Sequence, residues 1–157
     1  MGEEGKTITL KPIGFVKNQF DEGVPEGYES LPSEIVVKEE FSEGLHKLEE
    51  SSHIMVVFWM DRIKDEARKI MKMHPKGRED LPLLGVFATR SPKRPNPMGI
   101  RAVRLMKKEK NVITVLGLDA LNGSPILDIK PYSSKHDFVE DAKTPWWAKH
   151  LNDKLKV

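Results

Sequence analysis

The segment Gly85-Val86-Phe87-Ala88-Thr89-Arg90-Ser91-Pro92-Lys93-Arg94-Pro95-Asn96-Pro97-Met98-Gly99-Ile100 restricts the fold more than any other part of the chain. Its three prolines, Pro92, Pro95 and Pro97, have no backbone N–H to donate and push the residues before them into extended geometry. Neither a helix nor a central strand accommodates that. The segment therefore reads as a short buried strand, Gly85–Ala88, which stops at Thr89 and runs into a stiff extended loop; Gly99 then releases the chain into the next strand. The loop carries Arg90, Lys93, Arg94 and Asn96. A loop that has already lost conformational freedom costs less to order around an anionic ligand. Composition alone favours the plainer alternative, a rigid surface connection with solvated arginines.

Around this segment the apolar pattern is mostly that of strands. Runs at Ile8–Val16, Glu34–Val37, Gly85–Ala88, Ile100–Met106, Val112–Leu118 and Ile126–Ile129 fit strands, and His53–Met60 is apolar enough to be central. Phe41, Leu45 and Leu48 are spaced as on a helix, which predicts a short helix over Ser42–Glu50 with Ser42 as its cap. Ile63, Ala67, Ile70 and Met71 predict a second one over Asp61–Met73. Asn122-Gly123 between apolar runs signals a hairpin turn. About seven strands with two helical pieces do not alternate as βαβ units. The expected fold is mainly β (α+β): a single closed antiparallel β-barrel with one or two short helices.

Length and composition fit one domain over residues 1–157, with a core at about 8–132 and a C-terminal tail at 133–157. There is no cysteine, which excludes disulfides, thiolate metal sites and a cysteine nucleophile. His46, His53, His74, His136 and His150 lack metal-ligand spacing, so no metal is expected. Ser91 lacks the strand–turn–helix setting of a hydrolase nucleophile. No apolar run reaches the roughly 20 residues of a membrane span, and Met1–Lys6 has no secretory h-region. A cytoplasmic protein is expected.

The net charge of +2 hides an asymmetry. Acidic residues dominate Gln19–Glu50, whereas Arg90, Lys93, Arg94, Arg101, Arg104, Lys107, Lys108 and Lys110 face only Glu109 between Phe87 and Lys110. Such a cluster suits a polyanion. For Lys107, Lys108 and Lys110, ordinary solvated tips fit equally well. Arg101 and Arg104, three residues apart, fall on opposite faces of an ideal strand, so one of the two is expected to meet a polyanion; Arg101 is the nearer to the Pro-rich loop.

Two long motifs decide between these readings. Ala88-Thr89-Arg90-Ser91-Pro92-Lys93-Arg94-Pro95-Asn96-Pro97-Met98-Gly99 resembles the signature of the TrmO-like methyltransferases, also called the YaeB or TsaA-like family. Leu118-Asp119-Ala120-Leu121-Asn122-Gly123-Ser124-Pro125-Ile126-Leu127-Asp128-Ile129-Lys130-Pro131-Tyr132 resembles a second block of that family, and Ile13-Gly14-Phe15-Val16 its opening strand. The resemblance covers about Ile8–Tyr132. It implies S-adenosylmethionine as cofactor, tRNA as partner, a homodimer, and methylation of N6 on a threonylcarbamoyladenosine beside the anticodon.

A sulfonium donor makes physical demands that these segments can meet without a Gly-rich Rossmann turn, which the chain lacks. Its carboxylate suits Arg90, or Arg94 in its place; its ribose hydroxyls suit Asp119; its adenine suits the backbone of Leu118, Ala120 and Leu121. The resemblance implies that these residues line the pocket, with Asp61 and Arg62 after the central strand, where bacterial members carry a His-containing segment instead. Asp128, Lys130 and Tyr132 are the candidates to orient the modified base. Asp128 as a local cap and Tyr132 as a core-edge residue are the plainer alternatives. Pro145-Trp146-Trp147 fits packing within the protein or against a second subunit better than stacking on RNA bases. Bacterial members also have a longer C-terminal extension than the 25 or so residues after Tyr132, which keeps two alternatives open: a binding module that senses S-adenosylmethionine or a nucleotide without catalysis, and a methyltransferase for a different acceptor.

Overall fold

A computed structural model describes residues 5–152. These fall into two compact units: residues up to Asp61 with Met98–Tyr132, and Arg62–Pro97 with the residues from Ser133 on.

The strands are β1 (Gly14–Lys17), β2 (Pro32–Val37), β3 (His53–Trp59), β4 (Lys72–Met73), β5 (Leu84–Gly85), β6 (Met98–Glu109), β7 (Val112–Leu116) and β8 (Pro125–Pro131). Six of them close an antiparallel barrel in the order β1-β2-β7-β6-β3-β8, all within the first unit. The cause is alternation. Successive side chains of a strand point to opposite faces, and here one row is apolar in every strand: Val16, Ile35 and Val37, Ile54, Val56 and Phe58, Val103, Ile113 and Val115, and Ile126 are all buried together. Each such side chain contributes about 1.5–3 kcal/mol by leaving water. Closure also removes every sheet edge. The expected fold class is observed.

Two glycines let the wall close. A Cβ on Gly14 would sit 2.3 Å from the Val36 carbonyl oxygen, and one on Gly99 would sit 2.2 Å from the Phe58 ring. Gly99 is thus a packing glycine inside β6, where the ring of Phe58 lies over it, and not the release point of the Pro-rich loop. β6 and β7 form the tight hairpin. Glu109 pairs with Val112 across Lys110 and Asn111, and Lys110 takes the left-handed φ of 53°.

Several local expectations are corrected. The Asn122-Gly123 turn forms, with Gly123 at φ 82° and the Ser124 N–H donating to the Leu121 carbonyl, but β7 and β8 do not pair. It joins strands that lie apart in the barrel. Strand Ile8–Val16 shrinks to Gly14–Lys17, because Pro12 has no N–H to offer and Ile8 and Leu10 stay exposed. Ser42–Glu50 is not one α-helix. It is two 3-10 turns, Glu39–Leu45 and Leu48–Glu50, separated by Lys47 at φ 64°, and the Ser42 hydroxyl donates back to the Glu39 carbonyl.

The second unit is mostly turns. Helix Asp61–Met73 reduces to α1 (Asp65–Arg68), because the following residues are drawn into the β4–β5 pair. The Val86 N–H donates to the Met71 carbonyl, a tertiary contact that overrides helical spacing. Gly85–Ala88 is a strand only at Leu84–Gly85; Val86–Ala88 forms a 3-10 turn that buries Val86 and exposes Phe87. Two further short helices, α2 (Ser134–Asp137) and α3 (Trp146–Lys149), follow in the tail, where Trp146 is exposed. No helix of the described residues is long and apolar enough to cross a membrane.

Candidate functional site

The most reactive-looking end of the barrel is where the chain leaves β7. Gly117, at φ 85°, turns the backbone, and its N–H donates to the Leu31 carbonyl. A Cβ there would come 3.3 Å from the Glu29 carbonyl oxygen, so the absence of a side chain lets the Tyr28–Ser30 turn approach. Leu118 and Ala120 are buried in the barrel core, which fixes Asp119 between them. Asn18 locks the loop from the other side. Its side-chain amide donates to the Ser33 hydroxyl at 3.0 Å and to the Ala120 carbonyl at 2.9 Å. The Asn122 side chain accepts from the Asn18 N–H and donates to Asp21 at 2.9 Å.

Within this frame, Asp119 Oδ1 is buried and has no hydrogen-bond partner. Burying such an acceptor without a donor costs about 1–3 kcal/mol, and native proteins do so rarely. Tyr28 and Arg101 lie beside it. Asp119 stands three residues past Leu116, the β7 partner of Arg104, and Arg101 stands three residues before Arg104 on β6. Arg101 belongs to the inward row of β6 with Gly99 and Val103. Its guanidinium lies 5.4 Å from the centroid of the Tyr28 ring. Burial first, then the negative charge of Asp119, push the Tyr28 phenol above its ordinary value of 10.0, while the charge and hydrogen bond of Arg101 act the other way.

The Pro-rich loop, in the second unit, is held by side chains rather than by a ladder. The Thr89 hydroxyl donates to the Val86 carbonyl at 2.8 Å, and the Ser91 N–H donates back to that hydroxyl at 3.2 Å. Arg94 spends its guanidinium on the Val86 and Thr89 carbonyls, each at 3.3 Å. Arg68 donates to the Pro95 carbonyl at 2.9 Å. Arg94 is therefore a brace of the loop, whereas Arg90 is exposed on it. Asp61 and Arg62 are exposed at the exit from β3.

Asp128 and Lys130 lie elsewhere, on β8 opposite Val57 and Met55, the outward row of β3. They form an ion pair at 2.8 Å, and Asp128 Oδ1 accepts from the Ile129 N–H at 2.9 Å. The hydrogen bond and charge of Asp128 raise the Lys130 ammonium above its usual value, which keeps it protonated and unsuited to act as a base. Asp128 also lines a cleft of about 560 Å³ with Val37, Phe41 and Leu48. Tyr132 is half-buried at the far end of β8, its N–H donating to the His53 carbonyl. The structure thus gathers Leu118, Asp119, Ala120 and Leu121 in one loop and leaves Asp128 and Lys130 on a separate strand, with Tyr132 just past its end. Tyr28 and Arg101 were not among the residues expected at the pocket. A charged residue in an otherwise apolar inward row was the available signal for Arg101. Arg101 and Arg104 do occupy opposite faces, and Arg104 is the exposed one.

Together these features define a class: a small closed antiparallel β-barrel whose end loop has hydrogen-bonding capacity left over. The particular family follows from the comparisons. Residues 19–138 match the family described as tRNA-methyltransferase O N-terminal domain, and the chain belongs to it. The S-adenosyl-L-methionine-binding protein of Archaeoglobus fulgidus is 42% identical over 136 residues, covering 84% of this chain and 94% of that one. A probable S-adenosyl-L-methionine-binding protein of Methanocaldococcus jannaschii is 44% identical over 129 residues, covering 82% and 94%. The crystal structure of TrmO from P. aeruginosa superposes with a TM-score of 0.74 at 30% identity, over 93% of this chain. This chain spans only 64% of that solved chain.

Proposed function

We propose that this protein is an S-adenosylmethionine-dependent methyltransferase that methylates N6 of threonylcarbamoyladenosine beside the anticodon of tRNA. The whole of residues 1–157 would act as one domain, as a homodimer in the cytoplasm. Family membership supports the methyltransferase class, and Pseudomonas aeruginosa relatives are named putative S-adenosylmethionine-dependent methyltransferases. The observation that carries the cofactor reading is the buried, donor-less Asp119 Oδ1, which fits a ligand bearing hydroxyl donors.

When bound, S-adenosylmethionine supplies an electrophilic methyl group on a sulfonium. The chain's residues do the rest. Asp119 accepts from the ribose hydroxyls, and the backbone of Leu118, Ala120 and Leu121 serves the adenine. Arg90 holds the carboxylate, and Arg94 keeps the Arg90 loop in shape through its bonds to Val86 and Thr89. Asp61 and Arg62 flank the site as further polar contacts. Asp128, Lys130 and Tyr132 orient the modified base. The carbamoyl substituent makes the acceptor N–H more acidic than an adenine amine, so a modest base or water suffices to remove its proton. Positioning of donor and acceptor supplies much of the rate. The exposed Met98 and Ile100 on the outward row of β6 give a local reason to hide apolar surface in a dimer.

A second reading is a binding module without catalysis. The archaeal relatives of matching length are named for binding, while the P. aeruginosa relative named as a methyltransferase is longer, this chain covering 58% of it. Mass spectrometry of nucleosides from threonylcarbamoylated tRNA, incubated with protein and donor, separates the two. The methyltransferase reading expects a threonylcarbamoyladenosine heavier by one methyl group. Donor binding by calorimetry with no such product overturns the threonylcarbamoyladenosine reading and leaves the sensor module and a methyltransferase for a different acceptor. Arg90→Ala is expected to weaken donor binding markedly with the fold unchanged, and wild-type affinity would remove Arg90 from the site.

A further inference from the structure

We propose that Tyr28 and Arg101 complete the Asp119 site as a diol-recognising triad: Tyr28 donates a hydrogen bond to one hydroxyl of a ribose, Asp119 Oδ1 accepts from the other, and Arg101 positions Tyr28. This inference rests on the reading that Asp119 meets the nucleoside of the cofactor.

The three side chains come from three places in the sequence, the 3-10 turn before β2, the inward row of β6, and the loop after β7. None of them is needed to explain the barrel. Arg101 is a cation in an inward row that is otherwise apolar or glycine at Gly99 and Val103, and its guanidinium stacks on the Tyr28 ring at 5.4 Å. That contact holds the ring, and Arg101, which has no acceptor to offer, leaves the phenol proton to point elsewhere. Asp119 Oδ1, in turn, is an acceptor lacking a donor. The site therefore offers one donor and one acceptor side by side.

The chemistry of the ligand follows. An ammonium would serve Asp119 and leave the phenol proton unmatched. A carboxylate or phosphate would accept from Tyr28 and be repelled by Asp119. A vicinal diol matches both, since one hydroxyl can donate while its neighbour accepts. Arg101 acts through Tyr28 and is a positioning residue. The Tyr28 turn is held in register by the Gly27 carbonyl accepting from Ser30 N–H at 3.1 Å and by the close approach that Gly117 permits.

The test is calorimetry with S-adenosylhomocysteine and its 2′-deoxy analogue. Loss of one neutral hydrogen bond in a buried site corresponds to about a tenfold weakening. For the unaltered protein, the deoxy analogue should bind about tenfold more weakly than the parent. Tyr28→Phe should weaken the parent by a similar factor. Arg101→Met should weaken the parent by a smaller factor and should have no effect in the Tyr28→Phe background, a non-additivity that a merely structural role would not produce. Equal binding of the two ligands by the unaltered protein overturns the proposal without any variant. So does wild-type affinity in Tyr28→Phe. If Asp119→Asn loses binding while Tyr28→Phe keeps it, this triad fails and the cofactor reading stands. If the unaltered protein binds neither ligand, the cofactor reading fails as well.

Discussion

The barrel wall and the Pro-rich loop are held by opposite means. In the barrel, backbone ladders run continuously around six strands, and side chains only fill the interior. In the loop, three prolines deny the backbone its donors, and side chains reach back to carbonyls in their place: Thr89 to Val86, Arg94 to Val86 and Thr89, Arg68 to Pro95. A ladder tolerates almost any side chain on its outward row but no intrusion into its backbone. A braced loop tolerates added bulk but not the loss of a single long side chain. The two regions should therefore fail under different substitutions.

The largest expected effect is on the wall. Gly14→Ala places a methyl 2.3 Å from the Val36 carbonyl oxygen, a backbone atom that can move only by disturbing the β1–β2 ladder. A cost of about 3 kcal/mol is expected, at the upper end for overpacking, and a melting temperature lower by roughly 10 °C. Gly85→Ala is the matched control in the other unit. It meets nothing within 4 Å and has an ordinary extended φ of −63°, so it should be neutral or slightly stabilising. Equal melting temperatures for the two variants would break the contrast.

Removing a brace reverses the pattern. Arg94→Met keeps the length and apolar stem of the side chain but deletes its bonds to the Val86 and Thr89 carbonyls. Local opening of the loop should become easier by about 1–2 kcal/mol, since water can replace part of what is lost. Limited proteolysis within residues 86–97 should accelerate roughly tenfold, while the global melting temperature stays nearly unchanged. Unaltered cleavage would show that the prolines alone hold the loop.

The same difference explains what was legible in the sequence. Alternation is a backbone property with a strict period of two, so His53–Met60 and Ile126–Ile129 disclosed their strands, and the barrel followed from their number. Helical spacing in Asp61–Met73 misled because Met71 and its neighbours answer to β5, a partner that no local pattern reveals. Asn122-Gly123 disclosed a turn but not which strands it joins. Asp119 was legible as a candidate through its motif and through its acceptor chemistry. Tyr28 was not, because a turn residue becomes part of a site only when Gly117 allows its turn to approach. Arg94 was legible as a cation but not as a brace, since its partners are carbonyls that every residue possesses.

The smallest expected effect tests a place where the barrel, too, relies on side chains. Tyr28 and Tyr132 are the two tyrosines of the chain, so ultraviolet difference titration can separate them. Burial, then Asp119, raises the Tyr28 phenol above 10.0, and Arg101 opposes the rise. The neutral phenol is the form favoured by folding. The stability this contributes is fully present below the unfolded value and is lost as pH rises through the folded one. Tyr28→Phe should delete one ionisation step and so identify the step that belongs to Tyr28. Asp119→Asn should move that step to lower pH by removing a nearby negative charge. Arg101→Met should move it higher, because the cation that favours phenolate is gone. Shifts of a fraction of a pH unit are enough to read the signs. If both variants move the step in the same direction, Tyr28 answers to its burial alone and the three side chains are not electrostatically coupled.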